Sequence, residues 1–192
     1  MTLSDLDDAL WALGRGTGVV ALLMFTTTLV LGIVSRSGRQ VAGLGRFGLA
    51  ELHRTAALTG VGLVAVHVTS LFLDPYAQLK LVDLAVPFLG SYRPLFLGFG
   101  TLAVDLLLVI TAVSLLRNRV GPRVFKAVHW LTYVLWPVAL VHALGNGTDA
   151  GSLWMDAVAV FCCGAVLAAV SWRLLPSYAE RGRTRVARVV AR

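Results

Sequence analysis

Apolar residues gather into five long runs, at about 16–34, 55–73, 95–116, 128–144 and 153–172. Each is near the ~20 residues that a helix needs to cross the hydrocarbon core of a bilayer. Strands of a membrane barrel would alternate apolar and polar positions over segments of about ten residues, whereas these runs are continuously apolar. In lipid no water satisfies the backbone, so an isolated apolar run must satisfy its own, as a helix does. The pattern predicts an all-α integral membrane protein, a five-helix transmembrane bundle.

Composition agrees and narrows the field. Of 192 residues, 57% are hydrophobic and 14% charged, against about 25% charged in an ordinary soluble domain. A net charge of +7 on so apolar a chain excludes a water-soluble nucleic-acid binder and places the charges outside the apolar mass. The partner it implies is the lipid bilayer, in a multi-pass protein of the cell membrane. The five spans leave no room for a separate soluble catalytic domain on this chain. Cys162 and Cys163 are adjacent inside an apolar run, which gives neither a disulfide framework nor a metal-site spacing; they read as small packing residues.

The basic residues set an orientation. Arg36, Arg39, Arg46 and Arg54 fall between the first two spans, and Arg117, Arg119, Arg123 and Lys126 between the third and fourth. A third group, Arg173, Arg181, Arg183, Arg185, Arg188 and Arg192, follows the last span. By the positive-inside rule these three segments are cytoplasmic and the N-terminus is outside. Met1 to Trp11 carries Asp5, Asp7 and Asp8 without the basic start of a cleaved signal peptide, so the first run reads as a permanent span. The division expected is an extracytoplasmic N-terminus (1–15), a transmembrane domain (16–172) and a basic cytoplasmic tail (173–192). The long 74–94 connection, with Leu79, Leu81, Leu84 and Phe88, reads as a piece lying in the outer interface.

All four histidines fall on two of the five spans, His53 and His67 on the second, His129 and His142 on the fourth. Ionisable groups inside a membrane are costly and mark functional sites by default. At 1.5 Å per residue, the 14-residue and 13-residue steps cover about 21 and 20 Å. Both spans run in the same direction, so His53 and His129 share an inner level and His67 and His142 an outer one. Two imidazoles from different helices can supply both axial positions of a haem iron, and two stacked haems would bridge the membrane. Zinc fits less well, because it takes four tetrahedral ligands and its closed sites favour thiolates. One tension is angular: at 100° per residue, 14 steps bring His67 within about 40° of His53, but 13 steps leave His142 about 140° from His129. Either Pro137, which lies between the latter two, kinks or locally rewinds the helix, or the two haems are offset sideways.

The paired spacing on two helices separated by one span resembles the ferric reductase-like transmembrane domain of ferric reductases, NADPH oxidases and the haem-binding subunit of methionine sulfoxide reductase systems. The resemblance covers about 43–144, and the stretches SYRPLFLGFGTLAVDLLL and HWLTYVLWPVALVHALGNGTD look like short actinobacterial members. It implies two b-type haems, with His53 and His129 as axial ligands of the inner iron and His67 and His142 of the outer. It further implies electron transport from the cytoplasm outward, as the membrane subunit of an oxidoreductase. Full-length ferric reductases continue into a flavin- and nicotinamide-binding domain, and no such fingerprint or flavin site occurs here. The expected donor is a separate protein, such as a flavoprotein, or a quinol, which would add a quinone to the cofactors. The expected acceptor is ferric iron, oxygen or a partner oxidoreductase.

Other residues have two readings each. Gly60, midway between His53 and His67, lets a bulky ring approach the backbone or serves plain helix packing. Arg54, Arg123 and Lys126 at the inner level, and Arg93 with Tyr92 at the outer, neutralise haem propionates or simply follow the topology rule. Trp130, Tyr133 and Trp136 flank the fourth span's histidines and pack on porphyrin or sit at interfaces. Asp105, mid-span in the third run, reads as a structural hydrogen bond. In the alternative from a different class, an ion or proton transporter or channel subunit, Asp105 and the histidines would relay ions, although no inverted repeat of broken half-helices is visible.

Overall fold

The structure is a computed structural model that describes residues 3–41, 43–77, 79–175 and 178. Most of the basic tail, with Arg181, Arg183, Arg185, Arg188 and Arg192, lies outside the described residues. The order is α1 (Leu3–Ser37), α2 (Arg46–Leu73), α3 (Leu81–Ala85), α4 (Pro94–Leu115), α5 (Arg117–His129), α6 (Thr132–Asn146) and α7 (Leu153–Leu174). Regular structure among the described residues is wholly helical.

Helix α1 begins well before the apolar run. Asp5 in its first turn and Arg36 in its last complement the helix dipole. Thr26, Thr27 and Thr28 each donate their hydroxyl to the carbonyl one turn back, at 2.9, 2.9 and 2.7 Å, so these polar side chains enter lipid already satisfied. Helix α4 starts at Pro94, where a missing N–H costs nothing. Four helices, α1 from Asp5 onward, α2, α4 and α7, are each long and apolar enough to span a membrane.

The fifth span differs from the expected 128–144 helix. In its place stands the pair α5 and α6, apolar enough together to make a span and bent by 48° at Trp130–Leu131, and α6 runs on through Pro137. The bend falls before α6 and not at Pro137, one of the two accommodations the sequence left open. A separate break lies within α5, where Gly121 has φ 79° and ψ 161°, a left-handed φ that favours glycine, and Pro122 restarts the helix behind it. At the bend, Arg173 of α7 donates to the Tyr133 hydroxyl and lies 4.8 Å over the Trp130 ring, pinning both sides to α7. Trp130 and Tyr133 thus serve this anchor. With His129 and His142 on different helical segments, the 140° mismatch no longer applies.

Helix α1 is the centre of the bundle, packing closely on α2, α6 and α7, while α4 packs on α3, α5 and α6. Leu22, Leu29 and Ile33 of α1 meet Trp136 of α6 and Cys162, Val166 and Ala169 of α7 in one core; Cys162 is fully buried there. The Trp136 indole N–H donates to the Thr26 hydroxyl at 2.9 Å, joining α6 to α1. A second core gathers Leu107, Ile110 and Leu135, with Phe25, Val61 and Val64 against it. Large apolar side chains such as Val160, Phe161 and Leu167 face outward, as expected for a surface whose solvent is lipid. The protein is a multi-pass membrane protein.

The 74–93 connection folds back on the bundle. Asp74 and Asp83 are buried, Asp74 accepting from the Tyr76 backbone at 2.9 Å and Asp83 from that of Lys80 at 2.9 Å. The Thr101 hydroxyl holds the Asp83 carbonyl at 2.6 Å. Leu79 and Leu84 turn inward to a cavity, whereas Leu81 and Phe88 stay exposed. Only part of this segment's apolar surface faces outward as the sequence suggested.

Candidate haem-ligand site

Helices α2 and α6 are not among the pairs that pack closely along their backbones, yet their histidines meet across the space between them. The His67 and His142 rings stand 6.3 Å apart, centre to centre. The His53 and His129 rings stand 6.1 Å apart. The two levels and the two pairings expected from spacing are both present.

Three of the four rings are held from behind. His67 Nδ1 lies 2.6 Å from the Gly14 carbonyl, His53 Nδ1 2.9 Å from that of Thr28, and His142 Nδ1 2.8 Å from that of Phe96. A carbonyl can only accept, so each Nδ1 carries the proton and Nε2 is left as a lone-pair donor. His129 differs: its Nδ1 is buried and among the described residues has no hydrogen-bond partner, and its ring stacks on Phe125 at 5.2 Å and 20°.

A single metal between two imidazoles needs two bonds of about 2 Å, plus about 1 Å from each nitrogen to its ring centre, which totals about 6 Å. Both pairs have that separation. Among the described residues no group of three or more His, Cys, Asp or Glu side chains converges. Two nitrogen donors per level fall short of a zinc site and match the two axial positions of a haem iron. The residues fit the group.

A cavity of about 400 Å³ borders the outer pair. His67, His142, Gly18, Gly100, Phe25 and Leu135 line it, and Arg15, Asp149 and Tyr92 also border it. Arg15 forms an ion pair with Asp149, tying α1 to the α6–α7 turn. Arg93 donates to the Gly145 carbonyl at 2.8 Å, so in this structure it caps the end of α6. Gly60 faces the Phe25 ring, 2.7 Å from where a Cβ would lie; the ring it admits is a side chain of α1. Arg54 and Lys126 are exposed beside His53 and one turn before His129. Asp105 is half-buried on α4 and does not border the cavity.

Sequence reading missed the supports on α1 and α4. A signal was present, because Gly18 and Gly32 recur with the same 14-residue step as His53 and His67.

A helical membrane bundle presenting two facing histidine pairs belongs to the class of membrane proteins that can hold redox centres across a bilayer. Comparison with protein families is specific: residues 17–140 match the ferric reductase like transmembrane component. The match covers nearly two thirds of the chain, and the protein belongs to this family. It extends from α1 into α6, includes His53, His67 and His129, and stops short of His142. Membership supports transmembrane electron transfer as the general activity. No curated protein and no solved structure matches the chain.

Proposed function

We propose that this chain carries single electrons across the cell membrane through two bis-histidine b-type haems. The observation that supports it is the pair of 6.1 and 6.3 Å histidine separations on helices of a ferric reductase-like fold. His53 and His129 would hold the inner haem and His67 and His142 the outer. When bound, the haem irons supply the one-electron chemistry; the protein supplies ligands, spacing and a dry surrounding.

The chain's own residues divide that work. Carbonyls of Gly14, Thr28 and Phe96 keep the proton on Nδ1 of three histidines and so raise the donor strength of Nε2. Phe25, Val61, Val64, Leu107 and Leu135 fill the space between the levels and keep water out of it. Leu79 and Leu84 cover the outer cavity. The basic segments mark the cytoplasmic side, with the N-terminus outside. The donor is a separate cytoplasmic protein or a membrane quinol, and the acceptor is ferric iron, oxygen or a partner oxidoreductase on the other side.

A reduced-minus-oxidised absorbance spectrum of the purified chain tests this directly. The expected result is b-type haem bands on dithionite reduction, with two haems extracted per chain; a preparation without bands or extractable haem ends the proposal.

A further inference from the structure

Gly18, Gly32 and Gly100 lie inside helices, where glycine weakens the backbone, and no turn explains them. Each faces a histidine. A Cβ would stand 2.9 Å from His67 Nδ1 at Gly18, 3.3 Å from His53 Cε1 at Gly32 and 2.5 Å from His142 Cε1 at Gly100. In every case the carbonyl that accepts from that same histidine belongs to the residue four earlier: Gly14, Thr28 and Phe96.

Helix geometry explains the recurrence. A helical side chain leans toward the N-terminus and covers the turn before it. The group lying over the carbonyl of residue i is therefore residue i+4, whose N–H takes one lone pair. With glycine at i+4, the second lone pair is open to a ring from a neighbouring helix. On α1 the device repeats after 14 residues, in step with the 14 residues between His53 and His67, as two antiparallel helices in constant register require.

The fourth histidine lacks it. His129 ends α5, before the 48° bend, whereas His142 lies on α6, so the register that joins His142 to Phe96 does not carry over to it. Among the described residues, His129 Nδ1 has no hydrogen-bond partner.

We propose that Gly18, Gly32 and Gly100 are positioning residues. Each uncovers a helix carbonyl that fixes one histidine as the Nδ1–H tautomer with Nε2 turned to the shared space, and among the described residues His129 lacks such a carbonyl and is held by stacking on Phe125 instead. The inference rests on the haem reading for its purpose, though the ring positions can be measured without haem.

The test uses the full chain with Gly18→Ala, Gly32→Ala and Gly100→Ala, and with Gly62→Ala and Gly164→Ala as controls, since nothing lies within 4 Å of a Cβ at either control position. The readouts are the midpoint potential of each haem and its low-spin magnetic resonance signature. Losing a carbonyl partner weakens the ligand's basicity and so disfavours the oxidised iron. Gly18→Ala and Gly100→Ala are expected to raise the midpoint of one and the same centre. Gly32→Ala should raise the other by less, and the controls should match wild type. Variants that titrate like wild type, or that move both centres together as a general packing defect would, overturn the proposal. If the variants do not fold, nitrogen resonances of the histidine rings in the haem-free wild-type chain decide it. Three rings held as the Nδ1–H tautomer and one not so held support it, and four alike overturn it. A wild-type chain that binds no haem defeats the electron-transfer reading by itself, and the ring resonances still decide the positioning.

Discussion

The two histidine pairs have nearly the same ring separation and different surroundings. At the outer pair both rings are braced by carbonyls, and a cavity adjoins them that Leu79, Leu84 and Tyr92 of the 74–93 connection help to line. At the inner pair only His53 is braced, while His129 ends a helix at a bend and leans on Phe125. Equal spacing therefore does not mean equal rigidity. Where the helix is continuous, the helix behind can fix the ring; where it bends, the ring is fixed by its neighbours at the bend.

The largest effects that separate the pairs come from the ligands. His53→Ala is expected to remove the inner haem and leave about half the wild-type haem per chain, because His129 has no carbonyl to orient it. His129→Ala should keep most of that haem on the anchored His53, as a five-coordinate, high-spin centre. Haem extraction with magnetic resonance distinguishes the two, and equal loss would erase the contrast. At the outer pair, His67→Ala and His142→Ala should behave alike, since each leaves one braced partner.

A smaller effect is expected at the bend. Arg173→Ala removes a cation–π contact and a hydrogen bond there, worth together about 1–3 kcal/mol. It should lower thermal stability in detergent and perturb the inner haem's spectrum while sparing the outer. Trp136→Phe deletes the bond to Thr26 at a cost of about 1 kcal/mol; because it joins α6 to α1 between the levels, both haems should loosen together. The smallest effect belongs to Arg93→Ala, which loses one contact at the end of α6, about 0.5 kcal/mol, with haem content unchanged. A large haem loss there would return Arg93 to the outer haem's propionates.

Much of this was legible in the residues because membrane helices are long and their costly polar groups few. Four spans and the second histidine of each pair followed from apolar length and the 14- and 13-residue steps. The place of the bend was not legible, because Pro137 is the only local signal, whereas Arg173 reaches Tyr133 from 40 residues away and no local pattern reports that. Gly60 was singled out for lying midway between histidines, but what fills its space is decided by where Phe25 of α1 falls. The carbonyls at Gly14, Thr28 and Phe96 could not be found from residue type, since every residue has one. The glycines that uncover them could be, through their matching step.

The central claim is that each pair holds one haem iron between its two imidazoles. Haem extraction and low-spin magnetic resonance on one quantified sample of the purified chain test it most directly. Two haems per chain and two distinct bis-histidine low-spin signals are expected. One haem or none per chain, or iron signals without two nitrogen axial ligands, would contradict it.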